Sequence, residues 1–118
     1  MEENCCLIVE DDFLIASQLS MLLEKWGYNV CGIASTADEA VQIAAEHRPG
    51  RVLMDFRLSG AHDGVDASLQ ICENYVPRVI FITGSAEPET VQKIQTDHAH
   101  TVLFKPVDFG ELKLALAS

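Results

Sequence analysis

Basic residues are scarce in this sequence. Lysine and arginine together number 8 among 118 residues, against 18 aspartates and glutamates, and the formal net charge is −10. Nucleic-acid binding is driven by Lys and Arg side chains that contact phosphates, so this balance argues against a direct nucleic-acid partner. A basic protein partner or a bound cation suits the acidic chain better.

Long apolar runs and regularly spaced cysteines are also missing. No segment approaches the ~20 apolar residues of a membrane span, and the acidic Met-Glu-Glu-Asn start is unlike a secretory signal. Cys5 and Cys6 are adjacent while Cys31 and Cys72 stand alone, which indicates neither a disulfide framework nor a metal-binding pair. The expectation is a cytoplasmic protein without a membrane partner, whose cysteines are reduced and mostly buried.

Five short apolar runs alternate with five segments of helical spacing. With 48% apolar content, the chain has enough material for one core, and residues 1–118 are predicted to form one domain. The predicted strands cover residues 5–9, 29–33, 52–54, 79–83 and 101–104, and Pro49-Gly50 is read as the turn before the third. The predicted helices cover residues 13–26, 36–45, 65–75, 88–95 and 108–116.

Short connections between alternating strands and helices predict right-handed crossovers and a parallel sheet with helices on both faces. The fold class expected is α/β, a flavodoxin-like (βα)5 doubly wound sheet with strand order 2-1-3-4-5. In such sheets, ligands bind at the carboxyl edge, where the strand order reverses between strands 1 and 3. Glu10 and Asp11 follow strand 1 and Asp55 follows strand 3, so the three carboxylates are expected to converge.

Convergence of carboxylates requires a neutralising charge. Two carboxylates ~4 Å apart repel by roughly 4 kcal/mol at an effective dielectric of about 20. Oxygen ligands in a partly open acidic pocket suit a hard divalent cation, Mg²⁺ above all. Strand 4 ends at Thr83 and strand 5 ends before Lys105, which add a hydroxyl and an ammonium beside Asp55. These groups together indicate phosphoryl transfer to a carboxylate nucleophile.

At these separations, four motifs resemble the receiver domain of two-component response regulators, and the resemblance covers the whole chain. The motifs are Val9-Glu10-Asp11, Met54-Asp55, Thr83-Gly84 and Lys105-Pro106. The resemblance implies a signalling domain whose only chemistry is self-catalysed phosphotransfer and autodephosphorylation. A sensor histidine kinase or a phosphotransfer protein would be the donor. A downstream protein would bind through the fourth helix, fifth strand and last helix.

The resemblance also implies a role for each site residue. Asp55 would be the phosphoacceptor, and Mg²⁺ or Mn²⁺ would bind Asp11, Asp55 and the backbone carbonyl of Arg57, with Glu10 acting through water. Thr83 and Lys105 would contact the phosphoryl group. The peptide bond between Lys105 and Pro106 is a candidate cis bond. The loop 58–64 and the strand ending Phe81-Ile-Thr83-Gly84 show a weaker likeness to single-domain alphaproteobacterial receivers.

The chain departs from the family pattern three positions before the lysine. Many receivers carry a rotating Tyr or Phe there, and this chain has Val102.

Two other classes remain open on the residues alone. An aspartate-nucleophile phosphohydrolase needs a second Asp two residues after the nucleophile, where Arg57 stands. A flavodoxin-like cofactor binder needs a Ser/Thr/Gly phosphate loop after strand 1, where Glu10-Asp11-Asp12 stands.

Overall fold

Strands and helices alternate along the part of the chain that the computed structural model describes, residues 2–58, 63–84 and 101–117. The strands are β1 (Glu2–Val9), β2 (Asn29–Ala34), β3 (Pro49–Asp55), β4 (Arg78–Thr83) and β5 (Thr101–Phe104). The helices are α1 (Phe13–Lys25), α2 (Ala37–His47), α3 (Gly64–Ile71) and α4 (Phe109–Ala117). The helix predicted over 88–95 lies outside the described residues. Within the described ranges, every helix is too short or too polar to cross a membrane.

The five strands form one parallel sheet in the order β2-β1-β3-β4-β5. This order confirms the predicted flavodoxin-like topology. Val9 of β1 pairs with Met54 of β3, and Asp55 pairs with Ile82 of β4. Because all strands run in the same direction, the residues that follow them meet at one edge of the sheet.

Apolar side chains cover both faces of the sheet because successive strand residues point to opposite sides. On one face Leu7, Met54 and Phe81 pack under α2 and α3. On the other face Leu53 and Ile80 pack under α1 and α4. The continuous apolar runs in the sequence are therefore strands that are buried on both faces, as predicted.

Polar caps start the helices at the same edge of the sheet where β1, β3 and β4 end. The Asp12 carboxylate accepts hydrogen bonds from the amides of Leu14 and Ile15 and caps α1. Asp63 and Asp66 form a capping box on α3. This cap was not predicted from the sequence. These caps satisfy amides that would otherwise lack partners. They also concentrate acidic side chains near the carboxylates that follow the strands.

Three element boundaries in the described ranges differ from the prediction by three residues or more, and the first is the start of β1 at Glu2 instead of residue 5. Pro49 and Gly50, read as a turn, belong to β3, because Arg48 takes the left-handed conformation that ends α2 and turns the chain. Pro49 is tolerated there because it is the first residue of the strand. The third helix, predicted to reach residue 75, ends at Ile71. Tyr75 lies beyond the end of the helix. Its hydroxyl donates a hydrogen bond to the Pro49 carbonyl, at the edge of the sheet opposite Asp55.

The four cysteines are free thiols, as predicted. Cys5 and Cys6 are buried, and Cys31 and Cys72 are half-buried. Burial raises the pKa of the Cys6 and Cys31 thiols to about 12. These thiols are therefore protonated at neutral pH and act as small apolar side chains.

Candidate functional site

Three carboxylates meet at the carboxyl edge of β1 and β3. Glu10 and Asp11 follow β1, Asp55 ends β3, and oxygen atoms of the three side chains lie within 4.8 Å of one another. Glu10 is 4% exposed and Asp55 is 7% exposed, whereas Asp11 is exposed. The cluster therefore has two desolvated members and one that faces solvent, at the point where the strand order reverses.

Lys105 lies between the two buried carboxylates. Its Nζ is 3.1 Å from Glu10 Oε1 and 3.2 Å from Asp55 Oδ2. The Lys105 amide donates to the Thr83 carbonyl at 2.8 Å, so pairing between β4 and β5 delivers the ammonium to the site. Lys105 contacts two of the three carboxylates, so its single positive charge does not balance the cluster and a divalent cation could.

Burial and charge act in opposite directions on the Lys105 ammonium. Burial lowers the pKa of Lys105, but its hydrogen bond to Glu10 and the charge of Asp55 outweigh that effect, so the pKa is raised. Burial, followed by the neighbouring Asp55 carboxyl, raises the pKa of Glu10 despite the contact with Lys105. The ammonium is thus held in its charged form, and burial makes the charged form of Glu10 costly.

Asp55 is held from two sides. Its Oδ2 contacts Lys105, and its Oδ1 accepts a hydrogen bond from the Arg57 amide at 3.3 Å. Glu10 is held similarly, since its Oε2 accepts from the Asp12 amide at 3.4 Å. These contacts orient both side chains before any ligand arrives, which is the preorganisation that charged chemistry requires.

Gly64 fixes the backbone behind Asp55 and was not among the site residues predicted from the sequence. The Gly64 amide donates to the Phe56 carbonyl at 2.8 Å. A Cβ atom on Gly64 would overlap the Asp55 carbonyl oxygen and lie 2.9 Å from Met54 Cγ. Only glycine allows α3 to start this close to the strand end. A glycine at the end of the site loop, directly before the helix predicted over 65–75, was the available signal.

Thr83 and Arg57 are the other two residues that the sequence places at the site. Thr83 ends β4 and is 1% exposed, and its carbonyl holds the Lys105 amide. Arg57 lies two residues past Asp55 with its side chain exposed. The Lys105–Pro106 peptide bond is cis. The structure thus brings Glu10, Asp11, Asp55 and Lys105 into one cluster and anchors the segments that carry Thr83 and Arg57 beside it.

The donor set fits a hard divalent cation. Glu10, Asp11 and Asp55 offer only carboxylate oxygens, and the exposure of Asp11 leaves one side of the cluster open to solvent and to a hydrated ion. Mg²⁺ keeps several of its waters and binds proteins through one or two carboxylates. An acidic, partly open cluster that includes the Lys105 ammonium matches that preference.

Comparison with known proteins identifies a family. The sequence model described as the response regulator receiver domain matches residues 6–117. The phyllosphere-induced regulator PhyR of Methylorubrum extorquens is 45% identical over 82 residues, which are 69% of this chain and 31% of PhyR. The transcriptional regulatory protein PdtaR of Mycobacterium tuberculosis is 31% identical over 106 residues, which are 90% of this chain and 51% of PdtaR. The chain thus spans about half of PdtaR and about a third of PhyR.

Solved structures show the same likeness. The signal receiver domain of a modulated diguanylate cyclase from Desulfovibrio desulfuricans G20 superposes with a TM-score of 0.87 at 36% sequence identity. The superposition covers 96% of this chain and 90% of that chain. Fold, motifs and sequence similarity therefore agree over nearly the whole length.

Proposed function

The chain belongs to the response regulator receiver family, and on that premise we propose that Asp55 accepts a phosphoryl group from a sensor histidine kinase or a phosphotransfer protein. The main observation behind the proposal is that the Asp55 carboxylate contacts the Lys105 ammonium on one side and the Arg57 amide on the other. Glu10 and Asp11 lie beside it. Family membership supports two-component signalling as the context. The cytoplasm, where such partners work, is the proposed location.

The proposed reaction is an attack by an Asp55 carboxylate oxygen on phosphorus. A new P–O bond forms as the P–N bond of the donor phosphohistidine breaks, and the histidine leaves with the bonding electrons and takes up a proton. Lys105 would compensate the negative charge that develops on the transferred group. No group of this chain other than the site itself is needed, so the activity proposed is self-catalysed transfer and later hydrolysis.

A divalent cation, Mg²⁺ or Mn²⁺, would supply charge neutralisation where the carboxylates and the incoming phosphoryl group crowd together. Following the family, Asp11, Asp55 and the carbonyl of Arg57 would hold it, with Glu10 acting through water. In this structure Glu10 contacts Lys105 directly. That contact keeps the Glu10 carboxylate at the site and supports its place beside the cation.

Phosphorylation is proposed to switch a partner surface without an aromatic rotamer change. Thr83 and Lys105 would turn toward the new phosphoryl oxygens, and the segment after Thr83 would move with it. Val102 is half-buried against the core and too stiff to swing, while Phe104 is 45% exposed. The surface of the predicted fourth helix, β5 and α4 stays a prediction, because residues 85–100 lie outside the described ranges.

An apolar groove next to the site supports docking of the phosphodonor. It lies between α1 and the connection from β5 to α4, has a volume of about 480 Å³, and adjoins Lys105. Ile15, Pro106 and Phe109 line it. A donor helix seated there would bring its phosphohistidine to the open side of the cluster.

Acetyl phosphate tests this function directly. Intact mass spectrometry of the protein incubated with acetyl phosphate and Mg²⁺ should show one added phosphoryl group, and EDTA should prevent it, because the carboxylate cluster needs a cation to admit the anionic donor. Labelling that is equal with and without EDTA would contradict the proposed metal requirement.

The same experiment separates the alternative classes. A phosphohydrolase would release phosphate continuously from excess acetyl phosphate and accumulate little adduct. We do not expect this outcome, because Arg57 stands where that class needs its second Asp. A flavodoxin-like binding module would neither label nor release phosphate. Either result would replace the receiver assignment of function while leaving the fold unchanged.

Arg57 is expected to prolong the phosphorylated state. Its backbone is tied to Asp55, and its exposed guanidinium lies two residues from the reacting carboxylate, where it can pair with a phosphoryl oxygen and hinder the attacking water. Arg57→Ala should shorten the lifetime of the adduct several-fold. The measurement is dephosphorylation followed by mass spectrometry after removal of acetyl phosphate.

The matched control removes an equal charge from the far edge of the sheet. Lys25→Ala changes an exposed residue at the end of α1 and should leave the lifetime unchanged. An equal or longer lifetime in Arg57→Ala would show that the guanidinium does not protect the phosphoryl group.

A further inference from the structure

A second cleft lies at the opposite edge of the sheet from Asp55, between the C-terminal ends of α2 and α3. Its volume is about 260 Å³. Val41, Ala44 and Ile71 supply apolar walls, and Arg48, Gln70 and Asn74 supply polar groups. The cleft shares none of its lining residues with the carboxylate cluster, so the proposed phosphotransfer leaves it unexplained.

Arg48 is held in an uncommon conformation at the rim of this cleft. Its φ of 46° and ψ of 58° are left-handed, and within residues 2–58, 63–84 and 101–117 no other non-glycine residue has a positive φ. The left-handed region disfavours side chains with a Cβ, and glycine is the usual residue at the end of a helix. An arginine here keeps a guanidinium at the cleft at some cost in backbone energy.

The Arg48 guanidinium is also preorganised. Its central carbon lies 4.8 Å from the centroid of the Tyr75 ring, and the Tyr75 hydroxyl donates to the Pro49 carbonyl at 3.0 Å. Burial raises the pKa of Tyr75 to about 12, so the phenol stays protonated and remains a donor. Stacking uses the face of the guanidinium and leaves its N–H edge available for a ligand.

Arg48 differs from Lys105 and Arg51 in its partners. Lys105 contacts two carboxylates, and Arg51, which stacks on Tyr28, also donates a hydrogen bond to the Leu116 carbonyl. Over the described part of the chain, the Arg48 side chain makes the Tyr75 stacking contact and no ion pair. A fixed, unpaired guanidinium beside apolar walls is the feature that a bidentate anion would complete.

We propose that this cleft binds a small organic monocarboxylate with an apolar body. The carboxylate pairs with the Arg48 guanidinium, the carboxamides of Gln70 and Asn74 bond the polar end, and the apolar body packs on Val41, Ala44 and Ile71. Two helix C-termini direct their negative dipole ends toward the cleft, which opposes every anion and opposes a dianion such as phosphate more than a single carboxylate. The volume falls below the usual range for drug-sized ligands, so the ligand is small.

Benzoate is the probe. In a ¹H–¹⁵N NMR titration of the whole chain at neutral pH, benzoate should saturably shift amides of residues 41–48 and 70–75. Benzamide has the same size and ring but no charge, and it should bind at least tenfold more weakly. Arg48→Gly should also weaken benzoate binding at least tenfold while the protein stays folded, because glycine suits the left-handed helix end.

Two sources could supply such a carboxylate, a free metabolite or the C-terminus of a partner peptide. The dipeptide N-acetyl-Ala-Phe and its C-terminal amide separate them. Tighter binding of the dipeptide acid than of benzoate supports a peptide terminus, and the reverse order supports a free metabolite. Absence of saturable shifts, or equal benzoate binding in Arg48→Gly, would overturn the proposal and leave Arg48 and Tyr75 as a helix-capping contact only.

Discussion

Replacing Asp55 by Asn should abolish labelling by acetyl phosphate. The neutral amide of Asn is not a carboxylate nucleophile and cannot form an acyl phosphate. The variant therefore lacks the proposed phosphoacceptor. The variant should fold, since an amide oxygen can still accept the Arg57 amide hydrogen bond, and the change removes one of three crowded carboxylates. Intact mass after incubation with Mg²⁺ and acetyl phosphate is the measurement.

Asp38→Asn is the matched control. Asp38 is an exposed acid in the first turn of α2, so this variant loses the same charge outside the cluster and should label like the wild type. Persistence of the full adduct in Asp55→Asn would show that another residue is the phosphoacceptor.

Gly64→Ala should destabilise the protein and slow labelling at the same time. The added methyl group would overlap the Asp55 carbonyl and crowd Met54. The carbonyl belongs to a strand that is paired with β4, and Met54 is fully buried. Overpacking of this kind costs about 1–3 kcal/mol. The displaced strand end would also move the Asp55 carboxylate away from Lys105. Urea unfolding gives the stability, and the rate of labelling reports the site.

Gly84→Ala provides the comparison at a second glycine near the site. A Cβ atom on Gly84 would meet nothing within 4 Å, so its unfolding free energy should stay within about 0.5 kcal/mol of the wild type. If Gly64→Ala unfolds at the same urea concentration as Gly84→Ala, the close approach of α3 to the Asp55 strand does not constrain the site.

The sheet and the cluster of carboxylates could be predicted because they follow from local patterns. Continuous apolar runs such as 79–83 indicate strands that are buried on both faces, and helices that connect successive strands through short loops favour crossovers and parallel pairing. Once the strands are parallel, Glu10, Asp11 and Asp55 must end at the same edge, as the structure confirms. The order of the strands places them next to one another.

Boundaries that depend on a single backbone conformation were predicted poorly. Sequence preference places Pro49-Gly50 in a turn, but the turn falls on Arg48, whose left-handed conformation is disfavoured for arginine. The strand pairing that begins at Pro49 and the stacking of Arg48 on Tyr75 favour that conformation. Both are contacts between segments distant in sequence, so no local pattern reports them.

The sequence by itself determined the fold class and which charged groups share one edge, because side-chain period and chain direction decide both. Only the tertiary structure decided how those groups are held. Lys105 contacts both Glu10 and Asp55 because β4 and β5 pair in one register. Gly64 lies against the Asp55 carbonyl because α3 packs close to β3. Such contacts depend on ångström-scale packing between distant segments, which composition and spacing do not encode.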